Sequence, residues 1–410
     1  MPSTNRLIIV SFLLIISGIF TVDYFRALSS IGIGLLLITA ISHSKKVSYS
    51  RLKPYLLPAS IYLIYIVSLI ATDAHNSDKV GSILVFYLPF VIFPFAAAVL
   101  PNISHKDILN CYYWFLIVST ICALGTLVNF LFHFQEIIES YSRSKVMPTP
   151  VNHVRFSLII AFATLVGAYL FHQKHFYKNI SERKWIGAIT IFLFIFIHIL
   201  SVRSGIVALY AGILAMAIKF AFDQQKFKIL IIVPLILLAI PVLSFLFVPT
   251  FKNKITNTLE DLNQVGKKGS AGNYSISGRM VSYQAAWKVF RENPISGCGI
   301  ANLKSEINEA YEQHFPEVIG KGTGVLMPHN QFLYWLTALG IIGLLTICIG
   351  FYIPFFITSQ SFLLLSLHYL ILTISFLFEA TLETQTGIMF AMVFVYLPLM
   401  HFKTNPSLHD

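Results

Sequence analysis

Long apolar runs separated by short polar segments make up most of this sequence. A helix needs roughly 20 residues to cross the hydrocarbon core of a membrane, and each run is close to that length. Because lipid offers the backbone no hydrogen-bond partners, a run that crosses it must be helical. The pattern predicts an all-α, polytopic membrane protein with about twelve transmembrane helices, at 7–22, 26–42, 55–71, 82–100, 109–132, 155–172, 185–201, 205–222, 228–248, 330–357, 361–379 and 386–402.

The longest polar stretch, 249–329, separates two blocks of apolar runs. Spans one to nine fall in 1–248, and spans ten to twelve fall in 330–410. The stretch between them is too polar to enter lipid, so we expect one large extramembrane loop.

Two short helices are predicted inside this loop, after a Lys-, Asn- and Gly-rich part at 252–273 that is expected to be mobile. Ser277 predicts the cap of a first helix that ends near Glu292, and Asn302 predicts the start of a second helix that Pro316 stops. Helical spacing predicts that one face of the first helix lies on the membrane or on neighbouring helices, with Met280, Tyr283, Trp287 and Phe290 on it.

Composition excludes a soluble globular protein, because 56% of the residues are hydrophobic and only 11% are charged. The net charge of +11 comes from Lys and Arg scattered between the apolar runs, which is not the pattern of a nucleic-acid-binding surface. It instead predicts orientation, since short loops rich in Lys and Arg stay in the cytoplasm. The basic loops are 45–53, 174–184 and 219–228, so that both termini are cytoplasmic and the segments 133–154, 202–204 and 249–329 face outward.

Four basic residues on the outward side are candidates for binding an anionic ligand or moving a proton. Arg203 lies in a short break between two apolar runs, and Arg279 lies near the start of the first loop helix. A helix N-terminus and the planar guanidinium fork both favour phosphate. His329 precedes the tenth span and can accept a proton, while Arg155 begins the sixth span. Each residue also has a purely structural interpretation, as an arginine or a histidine anchored at the membrane surface.

An acidic pair, Glu379 and Glu383, is spaced by one helical turn near another outward helix end. Together the two carboxylates could bind a metal ion or a proton, and a hydrated helix end explains them equally well. The four cysteines show no metal-ligand spacing, and no disulfide framework is expected.

Several families of enzyme and transporter are excluded by missing motifs. The sequence has no phosphate loop for ATP, no outward Asp-x-Asp pair for a metal-bound nucleotide sugar and no Gly-x-Ser-x-Gly nucleophile. Charged residues are also scarce at the centres of the spans, which disfavours a proton-coupled pump.

Five short segments, taken together over about 190–345, resemble the O-antigen ligase/polymerase superfamily of membrane glycosyltransferases. They are Ser-Val-Arg-Ser-Gly at 201–205, Arg279 followed by Trp287, Glu-Asn-Pro-Ile-Ser-Gly-Cys-Gly at 292–299, His-Asn at 329–330 and Leu-Gly-Ile-Ile-Gly at 339–343. The predicted twelve spans, with one large loop before the tenth, agree with this resemblance.

The resemblance implies a metal-independent glycosyltransferase of the bacterial inner membrane, without a cofactor and with its active site facing the periplasm. It implies an O-antigen donor linked to undecaprenyl diphosphate and an acceptor hydroxyl on lipid A-core. Arg203, Arg279 and His329 then correspond to functional residues. The mechanism that fits them has the two arginines binding the diphosphate, and we expect Arg155 at the outer start of the sixth span to help hold it. His329 would act as the general base of an inverting transfer.

Besides a protein-directed oligosaccharyltransferase, which is a further variant of the same transfer, three functions remain open from the sequence. The first is an O-antigen ligase, and the second is an O-antigen polymerase, which uses the same donor but a second lipid-linked repeat as acceptor. The third is a transporter of lipid-linked glycan, which no internal repeat and no charged residue at a span centre supports.

Overall fold

The computed structural model describes residues 2–44, 49–73, 76–142, 145–175, 179–264, 275–319, 325–357 and 362–401. Within these ranges every regular element is a helix. The first eight are α1 (Pro2–Thr21), α2 (Ala27–Ser44), α3 (Tyr49–Ser68), α4 (Lys79–Tyr87), α5 (Pro89–Val99), α6 (His105–Phe132), α7 (Phe134–Ser142) and α8 (His153–His172). The remaining nine are α9 (Glu182–Leu200), α10 (Arg203–Asp223), α11 (Ile229–Phe247), α12 (Pro249–Gln264), α13 (Ser275–Glu292), α14 (Leu303–His314), α15 (Gln331–Ile357), α16 (Leu363–Phe378) and α17 (Gln385–Leu399).

The apolar runs of the sequence coincide with these helices, and the protein is a multi-pass membrane protein. In the described residues nine helical segments are long and apolar enough to cross a membrane, with α4 and α5 counted as one segment. The helices α16 and α17 are apolar but shorter, and α3 is not among the nine. The number of twelve spans therefore stays a prediction.

The bundle has a protein-packed centre and a lipid-facing edge. In α8, 83% of the residues are buried inside the protein, whereas in α11 only 11% are buried. Helix α8 packs against α6, α9, α10 and α16, while α11 packs mainly against α10 and α12. A helix that is apolar all round and exposed on most sides is suited to lipid, so the core lies around α8 and α11 lies at the edge.

The polar segment after α11 differs from the sequence prediction. Of the stretch 252–273, which was expected to be mobile, residues 252–264 belong to the regular helix α12, and 265–273 lie outside the described residues. Ser277 is a buried residue inside α13 and not its cap, although the predicted end of that helix at Glu292 is correct. The second loop helix is confirmed, because α14 follows Asn302 and ends before Pro316.

The face predicted for the first loop helix packs only in part on neighbouring helices, and its contact with the membrane stays a prediction. Met280 and Trp287 are 43% and 50% exposed, although the ring of Trp287 contacts the ring of Phe290. The helix buries small side chains instead, because it lies close to the backbone of α15 and α14. The fully covered positions on this face are Ser282, Ala285, Ala286 and Val289.

Helix α15 is interrupted at Gly340, where the backbone leaves the helical conformation (φ 65°, ψ −171°). The break frees backbone groups that the segment 294–299 then satisfies. The N–H groups of Cys298 and Gly299 donate to the carbonyls of Thr337 and Ala338 at 3.1 and 2.9 Å. This pairing clamps the end of α13 to the middle of α15.

Two glycines make the clamp possible because the two backbones touch. Gly297 and Gly340 both have positive φ, at 71° and 65°. A Cβ added to Gly297 would overlap the backbone of Ala338, and one added to Gly340 would overlap the carbonyl of Ile295. The two glycine-containing segments that carried the family resemblance are therefore the two halves of one contact.

Candidate active site

Polar side chains meet at one end of the bundle, where α8, α10 and α15 begin and α16 ends. Because successive spans alternate in direction, the predicted topology places these helix ends on one side of the membrane. Direct contacts join them, from Arg155 to Glu379 and from His329 to Glu379. We call this part of the protein the site end.

His329 lies two residues before the start of α15 and contacts a carboxylate. Its Nδ1 is 3.2 Å from Oε1 of Glu379, at the C-terminus of α16. With the proton on Nδ1, the imidazole donates to Glu379, and Nε2 is left to accept a proton. The carbonyl of His329 accepts a hydrogen bond from the Tyr283 hydroxyl at 2.8 Å, and the Asn330 side chain caps α15. The position of the ring is thus fixed from three elements.

Glu379 is almost enclosed, with a side chain that is 10% exposed. Burial alone would raise the pKa of this carboxyl. The hydrogen bond and charge of His329, followed by the charges of Arg155 and Arg279, outweigh burial and hold the Glu379 pKa below its usual value. Glu379 is therefore an anion at neutral pH, next to the histidine.

Arg155 contacts Glu379 and the chain that follows it. Its Nη2 is 3.6 Å from Glu379 Oε1 and donates to the carbonyl of Ala380 at 3.2 Å. The side chain is 11% exposed. These contacts favour a role in holding Glu379 in place, whereas the phosphate contact predicted for Arg155 stays a prediction.

Arg203 is the first residue of α10, directly after a tight turn. Ser201 takes a left-handed conformation (φ 55°) that ends α9, and no side chain caps α10 at Val202. The guanidinium Nη1 of Arg203 donates to Thr258 Oγ1 on α12 at 3.3 Å. The positive end of the α10 dipole and the Arg203 charge therefore coincide.

Arg279 lies one turn inside the described part of α13, and its charge acts on groups at both sides of the site end. It acts on Arg203 and Lys254 on one side and on Glu379 and His153 on the other. Like-charged groups that act on each other in this way are costly unless an anion joins them. Arg203, Arg279 and His329, singled out from the sequence, thus belong to one electrostatically coupled cluster.

The acidic pair predicted from the sequence does not form a joint site. The chain leaves the helical conformation at Glu379, and Glu383 belongs to a separate 3₁₀ turn. Glu383 accepts from Gln331 Nε2 at 2.7 Å and from the Tyr87 hydroxyl, while Glu379 contacts His329. In the part of the chain that the structure describes, no three His, Cys, Asp or Glu side chains are placed to hold a metal ion. The four cysteines in this part are free thiols.

Residues 188–348 match the family model described as O-antigen ligase. This segment is an O-antigen ligase domain. The match supports the O-antigen ligase/polymerase superfamily for this segment, as the sequence resemblance implied. No curated protein matches the sequence significantly.

The O-antigen ligase domain extends from α9 to the middle of α15 and contains Arg203, Arg279 and His329. Arg155 and Glu379 lie outside it and reach the same cluster through the packing of α8 and α16. The cluster therefore includes residues from helices on both sides of the domain in the sequence.

Sequence reasoning missed two side chains of the cluster. Glu379 was noted only as part of an acidic pair, and Lys254 lies in the stretch that was expected to be mobile. A helical pattern was present there, because Lys254, Thr258 and Asp261 follow each other at i, i+4 and i+7. The short length and polarity of α12 concealed it.

Proposed function

We propose that this protein is an O-antigen ligase, which transfers O-antigen polysaccharide from undecaprenyl diphosphate to a sugar hydroxyl of lipid A-core. The observation that supports this most is that two groups of side chains with different chemistry lie in one cluster. One group is cationic, with Arg203 and Arg279, and the other is the hydrogen-bonded pair of His329 and Glu379. The first suits a diphosphate and the second suits the removal of a hydroxyl proton.

The reaction exchanges one bond at the anomeric carbon of the donor sugar. The acceptor oxygen forms a bond to this carbon as the bond to the diphosphate oxygen breaks. The acceptor proton passes to Nε2 of His329, and the diphosphate leaves with one further negative charge. Displacement in a single step inverts the anomeric centre, and the arginines stabilise the leaving group without a metal ion.

Glu379 acts on the histidine and not on the sugars. Its carboxylate accepts from Nδ1, which selects the tautomer with Nε2 free to accept a proton. It also stabilises the imidazolium that forms when the proton has moved. Arg155, which contacts the same carboxylate, keeps Glu379 in position.

We further propose that the site end faces the periplasm of the bacterial inner membrane. The distribution of Lys and Arg in the short loops supports this orientation. The prenyl chain of the donor then stays among the apolar helices while its diphosphate reaches the polar residues at the membrane surface.

The polymerase reaction is the second candidate, because it uses the same donor and the same displacement. The cationic cluster and the histidine fit both reactions equally. Ligase is favoured by the description of the matching family. Deletion of the gene distinguishes the two, since loss of a ligase leaves long glycan on the carrier lipid and uncapped core, whereas loss of a polymerase shortens the glycan.

The direct test uses purified protein in liposomes with a defined undecaprenyl-diphosphate glycan and lipid A-core. We expect capped lipopolysaccharide to form with EDTA present and without ATP. His329→Ala should lower the transfer rate by about 10²- to 10⁴-fold, which is the usual contribution of a general base. His314→Ala, at an exposed position of α14, is the matched control. Abolition of transfer by EDTA, or equal rates for the two variants, would contradict the mechanism.

A further inference from the structure

Helix α12 presents one polar face to the cluster at the site end. Thr258 accepts a hydrogen bond from Arg203 at 3.3 Å and donates one to the carbonyl of Lys254, one turn earlier, at 2.6 Å. Asp261, on the same face, is 8% exposed. Asn253 and Asn257 anchor the helix to the α7 segment through the carbonyls of Ile138 and Tyr141. The register of α12 is thus fixed, and Lys254 points to the same side as Thr258.

Lys254 is a half-buried lysine among other cations. Burial, the largest effect, and the charges of Arg203 and Arg279 together lower the pKa of its ammonium group to about 8, although Asp261 opposes them. The same ammonium charge acts on His153 at the start of α8. Lys254 therefore lies near the starts of α8, α10 and α13, where Asp261 opposes the charges of the two arginines.

We propose that Lys254 is a third cationic ligand of the lipid diphosphate, alongside Arg203 and Arg279. This inference rests on the proposed function and adds a binding residue from a helix outside the sequence motifs. An ammonium group is a compact charge that can contact either phosphoryl group. The phosphate oxygens supply the negative charge that the three cations lack.

Lys254 contributes most when the bond to the sugar breaks. The diphosphate gains one negative charge at that moment, and a cation already in place stabilises the transition state more than the bound donor. Loss of Lys254 should consequently lower kcat as well as the affinity for the diphosphate.

The first experiment measures binding of radiolabelled undecaprenyl diphosphate, without sugar, to the detergent-solubilised protein. We expect Lys254→Gln to weaken binding about ten- to hundredfold, as for loss of a charged hydrogen bond, and Lys254→Arg to retain most of it. Lys252→Gln, which removes an exposed lysine of the same helix, should bind within about twofold of wild type, as distant surface substitutions usually do. Equal binding by Lys254→Gln and Lys252→Gln would overturn the inference.

A pH series separates ligand binding from a structural role. Wild-type affinity should fall as pH rises from 7 to 9, because Lys254 with its pKa of about 8 loses its charge in this range. Lys254→Arg should show little change over the same range. The other charged groups facing Lys254 are His153, Arg203, Asp261 and Arg279, and Lys254→Gln measures their contribution. The inference would be overturned if binding by Lys254→Gln showed the same pH dependence as binding by wild type. It would also be overturned if Lys254→Gln and Lys254→Arg both had a lowered thermal midpoint and lost binding equally.

Transfer assays keep this inference distinct from the proposed function. If wild type transfers glycan and Lys254→Gln transfers it equally fast, the role of Lys254 is wrong while the ligase proposal stands. If wild type binds undecaprenyl diphosphate through Lys254 but transfers nothing, the ligase proposal is wrong while the role of Lys254 in binding stands.

Discussion

A single carboxylate, Glu379, connects the histidine of the cluster with its arginines. The sequence shows only a glutamate near a helix end, since nothing in it indicates that the end of α16 lies beside the start of α15. The 3.2 Å contact with His329 and the 3.6 Å contact with Arg155 depend on the packing of α8, α15 and α16. Residue roles of this kind arise from tertiary structure.

Glu379→Gln should therefore lower kcat for glycan transfer, with little change in KM for the donor. The amide leaves the site nearly unchanged in shape but cannot stabilise the imidazolium. Partners of this kind typically contribute about ten- to hundredfold. Steady-state transfer assays measure the effect, with Glu312→Gln at an exposed position of α14 as control. A Glu379→Gln enzyme with wild-type kcat would exclude the role proposed for this carboxylate.

At the scale of elements, the clamp between segment 294–299 and α15 determines where α13 lies. The N–H of Ile341 donates to the carbonyl of Pro294 at 3.0 Å, on the other side of the break from the Thr337 and Ala338 contacts. Thr337 also donates to the carbonyl of Ala286 on α13 at 3.3 Å. Helices α13 and α15 thus form one unit that carries Arg279 and His329.

Gly340→Ala should destabilise the protein, since the conformation at Gly340 is accessible essentially only to glycine and costs other residues about 1–3 kcal/mol. Overlap of the new Cβ with Ile295 adds to this cost. Gly125→Ala is the control, because its Cβ meets nothing within 4 Å in the middle of α6, where alanine favours helix. Thermal unfolding in detergent should show a lower midpoint for the first variant only. Equal midpoints would mean that the clamp does not contribute to stability.

The elements differ in how far the sequence predicts them. Apolar runs predict the membrane helices well, because a run of this length can satisfy its backbone hydrogen bonds in lipid only as a helix. The helix α12 and the break at Gly340 were missed, since one depends on polar contacts with α7 and the other on a neighbouring backbone. The glycine motifs were noted from resemblance, and only the packing gives their physical reason.

Across the whole molecule, a buried network around Glu383 connects helices that are distant in sequence. Its carboxylate accepts from the Tyr87 hydroxyl of α4 and from the Gln331 side chain of α15. Gln331 in turn accepts from the N–H of Leu382 at 2.7 Å. Burial, the largest effect, raises the Glu383 pKa to about 7, although its hydrogen bonds oppose the change. The stability of the folded protein therefore depends in part on whether Glu383 is protonated.

The sign of the coupling follows from the raised pKa of Glu383. Between its ordinary value of 4.5 and about 7, the folded protein holds this proton more tightly than the unfolded chain. Stability should consequently fall as pH rises across this range, by up to about 3 kcal/mol, and then level off. Thermal unfolding of wild type and Glu383→Gln from pH 5 to pH 8 measures the difference in stability between the two proteins. Both proteins contain Glu379, so its opposite contribution cancels in this difference. A constant difference at every pH would show that Glu383 does not titrate in this range.

The clamp at Gly340 also fixes the distance between the chemistry and the lipid. Helix α15 has 27 residues, a length of about 40 Å, against roughly 30 Å for a bilayer core. Its exposed apolar side chains begin at Ile341, whereas the turns from Gln331 to Gly340 are buried or half-buried by protein, so we expect these turns to extend above the hydrocarbon. Since this height is set by a rigid contact, the protein cannot adjust it when acyl chains lengthen or shorten. Bilayer thickness itself then becomes a determinant of turnover, because it decides how far a prenyl-anchored substrate must rise to meet the imidazole.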